Sequence, residues 1–271
     1  MIGIYGATEA VPFHDGFKLT RYCRGIAWRP PLYPKAAVKS RHQPDSAQRL
    51  RRMHDDLLRA YGPQHWWPAK TPFEMILGAY LTQNTAWKAV ERSLENLGAA
   101  GALTVEGLRK VPLARLRRLL RPSGFTTRKA PALKAFVAML DKEFGGSLEK
   151  LAAVPTAALR GRLLDLPGVG PETADAILLY ALGHAVPMAD EYLRRIAERH
   201  GLIETAPGRT RISYDELTDL ARRAFSGDPE EDHGRLYNEF HALTVAVGKA
   251  HCGRTARCEK CPLAGDIKNS F

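Results

Sequence analysis

Three cysteines, Cys252, Cys258 and Cys261, fall within ten residues near the C-terminus, while the fourth, Cys23, stands alone. Thiols packed this closely point to metal chemistry rather than to a disulfide framework. Upstream, Leu166-Pro167-Gly168-Val169-Gly170 sets two glycines around one small apolar residue, just before a helical pattern. Glycines there let the backbone turn tightly and present free N–H groups, and a helix N-terminus behind them favours a phosphate. Such a turn grips a nucleic-acid backbone without reading its sequence. An ordinary tight turn is the other reading of a lone G-x-G. Twenty residues after Gly170, Asp190 opens another helix, where a carboxylate is stabilised in its charged form and also serves as a plain N-cap. "HWWP" (65–68) and Trp87 place three of the four tryptophans within twenty-two residues.

The elements that position these groups are helical. "TPFEMILGAYL" opens with Thr71 as N-cap, Pro72 at the first helical position and Glu74 at the third, and "SYDELTDLARRAF" repeats the signature with Ser213 and Glu216. "SAQRLRRMHDDLLRAYG" ends at Gly62, a C′ glycine. Ala174, Ile177, Leu178, Ala181 and Leu182 follow the spacing of one buried helix face. No stretch sustains the period-2 alternation of a strand and none repeats at a fixed period, so the fold class is all-α, with about ten helices and no solenoid. Residues 1–45, broken by "RPPLYPK", read as an irregular basic extension, and the stretches around Gly145 and Gly208 as loops. Hydrophobic residues at 45% suffice for a sizeable core. Forty Lys+Arg against 29 Asp+Glu leave a formal charge of +11 and a pI of about 9.6, which favours a polyanion partner, nucleic acid first. No run of roughly 18 apolar residues exists, so a membrane span is excluded on length. No apolar export segment is evident, and the expected location is the cytoplasm.

Hairpin, helix, aspartate and terminal cysteines in this order resemble the endonuclease III family of helix-hairpin-helix DNA glycosylases, over residues 46–267. Four separated stretches carry the resemblance: "LTQNT" (81–85), "SGFTTRKA" (123–130), "LPGVGPETAD" (166–175) with "MADEYLRRI" (188–196), and "CGRTARCEKCPL" (252–263). It implies two helical lobes with duplex DNA, carrying a damaged base or an abasic site, bound by a monomer across the cleft between them. Residues 46–70 would then be an N-terminal helix packing with the C-terminal lobe, 71–187 the domain with the hairpin, and 188–271 the C-terminal lobe. The resemblance makes Asp190 the catalytic carboxylate and Gln83 the side chain that fills the hole left by a flipped base. Leu166, Gly168, Val169 and Gly170 become the grip on the DNA backbone. It also implies a 4Fe–4S cluster on Cys252, Cys258 and Cys261. The family's fourth cysteine is absent. Asp266 is the first choice for its place, as a harder and weaker ligand than thiolate, with water, His251 and Cys23 as alternatives. Zinc on three thiolates and His251 is the alternative metal. Arg254, Arg257 and Lys260 of the same loop would contact phosphates.

The departure from the family is Glu172. Bifunctional members carry a lysine there that attacks the sugar as a Schiff-base nucleophile, and a glutamate cannot form that imine. The chemistry left is monofunctional: water attacks C1′ while Asp190 stabilises positive charge on the sugar. Glu172 either joins the pocket or is solvated or paired with an arginine. N-alkylated purines already carry positive charge and leave with little acid catalysis, and an aromatic pocket suits a flat cation. The tryptophans resemble those of the 3-methyladenine DNA glycosylase branch, where Trp66, Trp67, Pro68 and Trp87 would sandwich the base; core packing is their other reading. Lys249 reads as a helix-end lysine. Three rival functions stay open: an endonuclease III-like enzyme for oxidised pyrimidines using another lysine, a DNA-binding or DNA-bending protein with little catalysis, and a redox sensor built on the cluster.

Protein purified without oxygen is expected to be brown, and Cys258→Ser to lose both the colour and thermal stability. Elemental analysis finding zinc and no iron would overturn the cluster assignment.

Overall fold

Helix starts are set by side chains that accept the free first-turn amides. In a computed structural model, which describes residues 45–66, 69–204 and 209–268, Asp45 accepts from the Ala47 amide and Thr71 from the Glu74 amide. Ser213 and Glu216 complete a reciprocal capping box. At Thr71 the reciprocal bond falls one residue earlier, because Glu74 Oε2 accepts from Lys70 N at 3.1 Å. The helices are α1 (Ser46–Tyr61), α2 (Pro72–Thr82), α3 (Trp87–Ala99), α4 (Val105–Lys110), α5 (Leu113–Leu119), α6 (Thr126–Phe144) and α7 (Leu148–Ala152). They continue as α8 (Thr156–Leu164), α9 (Pro171–Ala176), α10 (Glu191–Arg199), α11 (Tyr214–Ala224), α12 (His233–Ala250) and α13 (Ala264–Lys268). Among the described residues no strand is formed; Cys252 and Ala256 make one isolated bridge. No described helix is long and apolar enough to cross a membrane. The extension at residues 1–44, Cys23, Trp67, Pro68 and the loop at Gly208 lie outside the described residues.

α1 packs on α11 and α12, and α10 packs on the same two helices, which makes one bundle. α2 packs on α3 and α6, with α4 and α5 also against α6, which makes a second. Between them lies a π-helical turn, Ile177–Ala181, that continues from α9 and touches α2, α9 and α12. The apolar period over 174–182 predicts an uninterrupted α-helix; instead Leu182 N bonds Ile177 O, five residues back, at 3.1 Å. The wider turn buries Ile177, Leu178, Leu179 and Tyr180 together and leaves Ala181 and Leu182 half-buried. One continuous apolar core runs through both bundles. A buried polar clamp adds to it: Arg160 of α8 bonds both oxygens of Asp175 on α9 at 2.7 and 3.0 Å, and Tyr214 of α11 donates to the same carboxylate at 2.9 Å.

α10 and α12 approach each other closely at Gly248, where a Cβ would overlap the ring of Tyr192. The Arg195 guanidinium also lies over that ring, 4.8 Å from its centroid. Because an aromatic ring cannot yield as a flexible chain does, Gly248→Ala should destabilise the protein by about 1–3 kcal/mol in denaturant titration, as overpacked cores do. A change below about 0.5 kcal/mol would mean that the two helices separate freely there.

Candidate active site

The hairpin between α8 and α9 is a tight turn closed by Val169 N to Leu166 O at 3.2 Å. Pro167 and Gly168 occupy its centre, and Gly168 adopts φ +78°, the left-handed value a type II turn requires. Val169 is buried and anchors the turn, Leu166 is half-buried, and Gly168 and Gly170 are exposed. Gly170 then caps α9, with Pro171 at its first position.

Asp190 caps α10 and accepts from Leu193 N through Oδ1 at 2.9 Å. Its other oxygen, Oδ2, lies 3.7 Å from His241 Nε2 of α12. His241 Nδ1 in turn bonds Tyr180 Oη of the π turn. The ring of Trp66 packs on both, with centroids 5.2 Å from His241 and 5.5 Å from Tyr180. Glu172, in the first turn of α9, is reached by solvent yet surrounded by protein and carries no ion pair among the described residues. Loss of hydration, and then the nearby Asp190 charge, push its carboxyl up to about 7. Asp190, Glu172 and Trp66 are therefore brought to one place. Trp87 is not: its indole lies against Gly78 of α2, and among the described residues it makes no ring contact with Trp66. Tyr180 and His241 were not assigned from the sequence. Tyr180 reads there as one more core residue, and a lone histidine on an apolar helix face gives only a weak signal.

Gln83 follows α2, and its side-chain amide donates to Gly168 O at 2.6 Å and Thr173 Oγ1 at 2.9 Å. The loop that carries it is held by Lys129, which is only 5% exposed and whose ammonium donates to Leu81 O, Thr85 Oγ1 and Ser123 O at 2.9, 2.6 and 2.9 Å. Burial, with Arg128 adding like charge, lowers that lysine to about 8. Beside it Phe125 is 53% exposed in a left-handed conformation, φ +49°, which is uncommon for an aromatic residue.

Cys252, Cys258, Cys261 and His251 line one small cavity between α10, α12 and α13, together with Ile196 and Val247. Arg199 Nη1 donates to Cys252 Sγ at 3.0 Å. No group of three or more His, Cys, Asp or Glu side chains among the described residues converges tightly enough to hold a single metal ion. Asp266 points elsewhere. Its carboxylate meets Arg49 at 3.1 and 2.6 Å and His200 Nδ1 at 3.0 Å, an ion pair that docks α13 on α1. Arg254, Arg257 and Lys260 are exposed, and Arg257 also donates to Ala250 O at the end of α12, at 2.7 Å. Lys249 is exposed in the last turn of that helix.

The raised Glu172 carboxyl makes a stability prediction. Between its ordinary value near 4.5 and about 7, the folded protein holds a proton that the unfolded chain has lost, so stability falls as pH rises through that window. Glu172→Gln should therefore raise the melting temperature relative to the wild type more at pH 8 than at pH 5. An equal difference at both values would show that the carboxyl is unperturbed.

Residues 77–219, more than half of the chain, match the family described as HhH-GPD superfamily base excision DNA repair protein. The chain is 39% identical over 209 residues to a Methanocaldococcus jannaschii protein named as a DNA repair glycosylase, covering 76% of this chain and 90% of that one. It is 26% identical over 226 residues to the thymine-DNA glycosylase of Aeropyrum pernix, covering 79% and 91%. Among solved structures, H. pylori 3-methyladenine DNA glycosylase bound to 1,N6-ethenoadenine matches with a TM-score of 0.63 at 32% identity, covering 76% of this chain and 98% of that one. A trapped endonuclease III–DNA covalent intermediate matches with a TM-score of 0.66 over 82% and 97%, and at 24% identity is a likeness of fold. With its glycine hairpin and capped aspartate, the chain belongs to the HhH-GPD superfamily of base excision DNA repair proteins.

Proposed function

We propose that this protein is a monofunctional DNA glycosylase that removes alkylated, cationic purines. The observation that carries the reading is the pairing of a buried, capped Asp190 with a carboxyl, Glu172, where a Schiff-base enzyme needs an amine. Water adds through oxygen to C1′ while the N-glycosidic bond breaks and its electrons leave with the base. A base that starts positively charged departs neutral. Asp190 opposes the positive charge that grows on the sugar and receives the proton of the attacking water. With no lysine at 172 no imine forms, and the strand is left abasic and intact. Similarity to a 3-methyladenine glycosylase bound to 1,N6-ethenoadenine supports a modified purine as substrate.

The hairpin holds a phosphate, and Gln83 takes the place of the extruded base. Phe125, exposed on the turn that Lys129 ties to the Gln83 loop, is suited to wedge into the stack beside it. Trp66, with Trp67 and Pro68, receives the base, while Trp87 packs against α2. The C-terminal loop would hold a 4Fe–4S cluster on Cys252, Cys258 and Cys261. The reading rests on the spacing of the three cysteines in sequence and on the one cavity they share. Because Asp266 is engaged by Arg49 and His200, His251 or water is the better fourth donor. When bound, such a cluster braces the loop and so fixes Arg254 and Lys260 for phosphate contact. The cytoplasm is the proposed location and a monomer the proposed state.

Duplexes that each carry one lesion test the reading. Wild type should release 3-methyladenine or a related cationic purine, leave the strand unbroken, and give little covalent adduct with abasic DNA under borohydride. Asp190→Asn should slow release by about 10³-fold with little loss of duplex binding, since the charge acts mainly in the transition state. If wild type and Asp190→Asn release the same trace, the DNA-binding alternative replaces the enzymatic one. Efficient trapping on any lysine would instead support a bifunctional enzyme.

A further inference from the structure

Asp190 has one oxygen fixed by the Leu193 amide, so its chemistry depends on what orients the other. We propose that Tyr180 and His241 are positioning residues for Asp190, linked in a Tyr–His–Asp relay behind the reacting carboxylate. The proposal rests on the glycosylase reading above and deepens it.

All three side chains are withdrawn from water: Tyr180 is 1% exposed, His241 4% and Asp190 7%. Tyr180 Oη lies 2.5 Å from His241 Nδ1, and His241 Nε2 lies 3.7 Å from Asp190 Oδ2. The direction of the proton follows from satisfaction of buried groups. If Nδ1 carried the proton of a neutral imidazole, the Tyr180 hydroxyl would have no acceptor in a dry interior, and the Nε2 lone pair would face a carboxylate. Both are costly. With Tyr180 donating to Nδ1, the imidazole keeps its proton on Nε2 and directs it at Asp190. Burial, and then the Asp190 charge, raise the Tyr180 phenol well above its ordinary value, so it stays a donor.

The fold goes out of its way to build this line. The π turn swings Tyr180 inward beside α12, and Trp66 covers both rings. A neutral N–H donor suits the reaction. It orients Oδ2 without cancelling the charge that must oppose the oxocarbenium ion, as a lysine or arginine would. The 3.7 Å separation is beyond hydrogen-bond length, and catalytic contacts of this kind tighten when substrate binds.

The test combines single-turnover base release with nitrogen-15 NMR of labelled histidine in the free protein. Tyr180→Phe should slow release about tenfold, and His241→Ala up to about 100-fold, the range for a misplaced catalytic group. His241→Gln, which keeps an N–H donor, should recover most of that loss. Abasic-duplex affinity should match wild type in all of them. Adding Tyr180→Phe to His241→Gln should cost nothing more, because no Nδ1 remains to be fixed. Independent, multiplying losses would overturn the relay. NMR should find His241 as the Nε2–H tautomer in wild type and mixed in Tyr180→Phe; an Nδ1–H tautomer in wild type would also overturn it. If wild type releases no base from any lesion duplex, the glycosylase reading falls by itself, and the tautomer still decides the relay.

Discussion

A carboxylate placed in the interior, where two helical bundles meet, is the constraint around which the site is arranged. Removing an unpartnered carboxylate from water costs several kcal/mol even after relaxation. Asp190 meets that cost with the Leu193 amide and the N-terminal end of α10, whose dipole favours negative charge. α10 must therefore begin where it does, and the chain from 183 to 189 must arrive without helical structure. That segment is pinned. His184 N bonds Leu178 O at 2.9 Å, the His184 ring bonds Thr156 at 2.9 Å, and Pro187, Met188 and Ala189 are buried. The π turn just before it supplies the contacts with α2, α9 and α12 that keep both bundles in register around the charge.

A second carboxyl beside the first then behaves differently. A carboxyl that is poorly hydrated and lies near another negative charge holds its proton more tightly. Asp190 has an amide donor and a facing imidazole. Glu172 has no hydrogen-bond donor among the described residues, and loss of hydration, then the Asp190 charge, raise its carboxyl. The same position filled by lysine would be drawn toward Asp190 as a cation. On the proposed reading, a carboxyl at this position makes Glu172 a proton-holding neighbour of Asp190 in place of a nucleophile.

What was legible in the sequence was local. Thr71, Ser213 and Asp190 announce helix starts because a cap is a bond between a side chain and an amide two or three residues away. The hairpin was legible for a similar reason, since Pro-Gly at its centre fits one turn type. The π turn was not. Over a single turn the same apolar positions serve an α- or a π-helix, and only packing against α2 and α12 decides between them. Tyr180 and His241 are 61 residues apart, and nothing local couples them. Asp266 shows the opposite hazard. It lies near the cysteines in sequence, and its bond to Arg49, 217 residues away, has no local signal. Lys129 lies within a motif that was recognised, but lysines are rarely buried, so its grip on two loops was not anticipated.

Under the role proposed for Gln83, its two hydrogen bonds to the hairpin have a consequence for how this protein would search. To enter a base stack the amide must first leave Gly168 O and Thr173 Oγ1. At about 1 kcal/mol for each bond, that departure sets a threshold of about 2 kcal/mol, or roughly 30-fold, before any base is tested. A well-stacked pair offers nothing in return, so on intact duplex the amide stays docked. A weakened pair opens on its own and supplies new partners. The threshold thus acts as a filter ahead of the chemistry, biasing the side chain toward places where the helix is already failing.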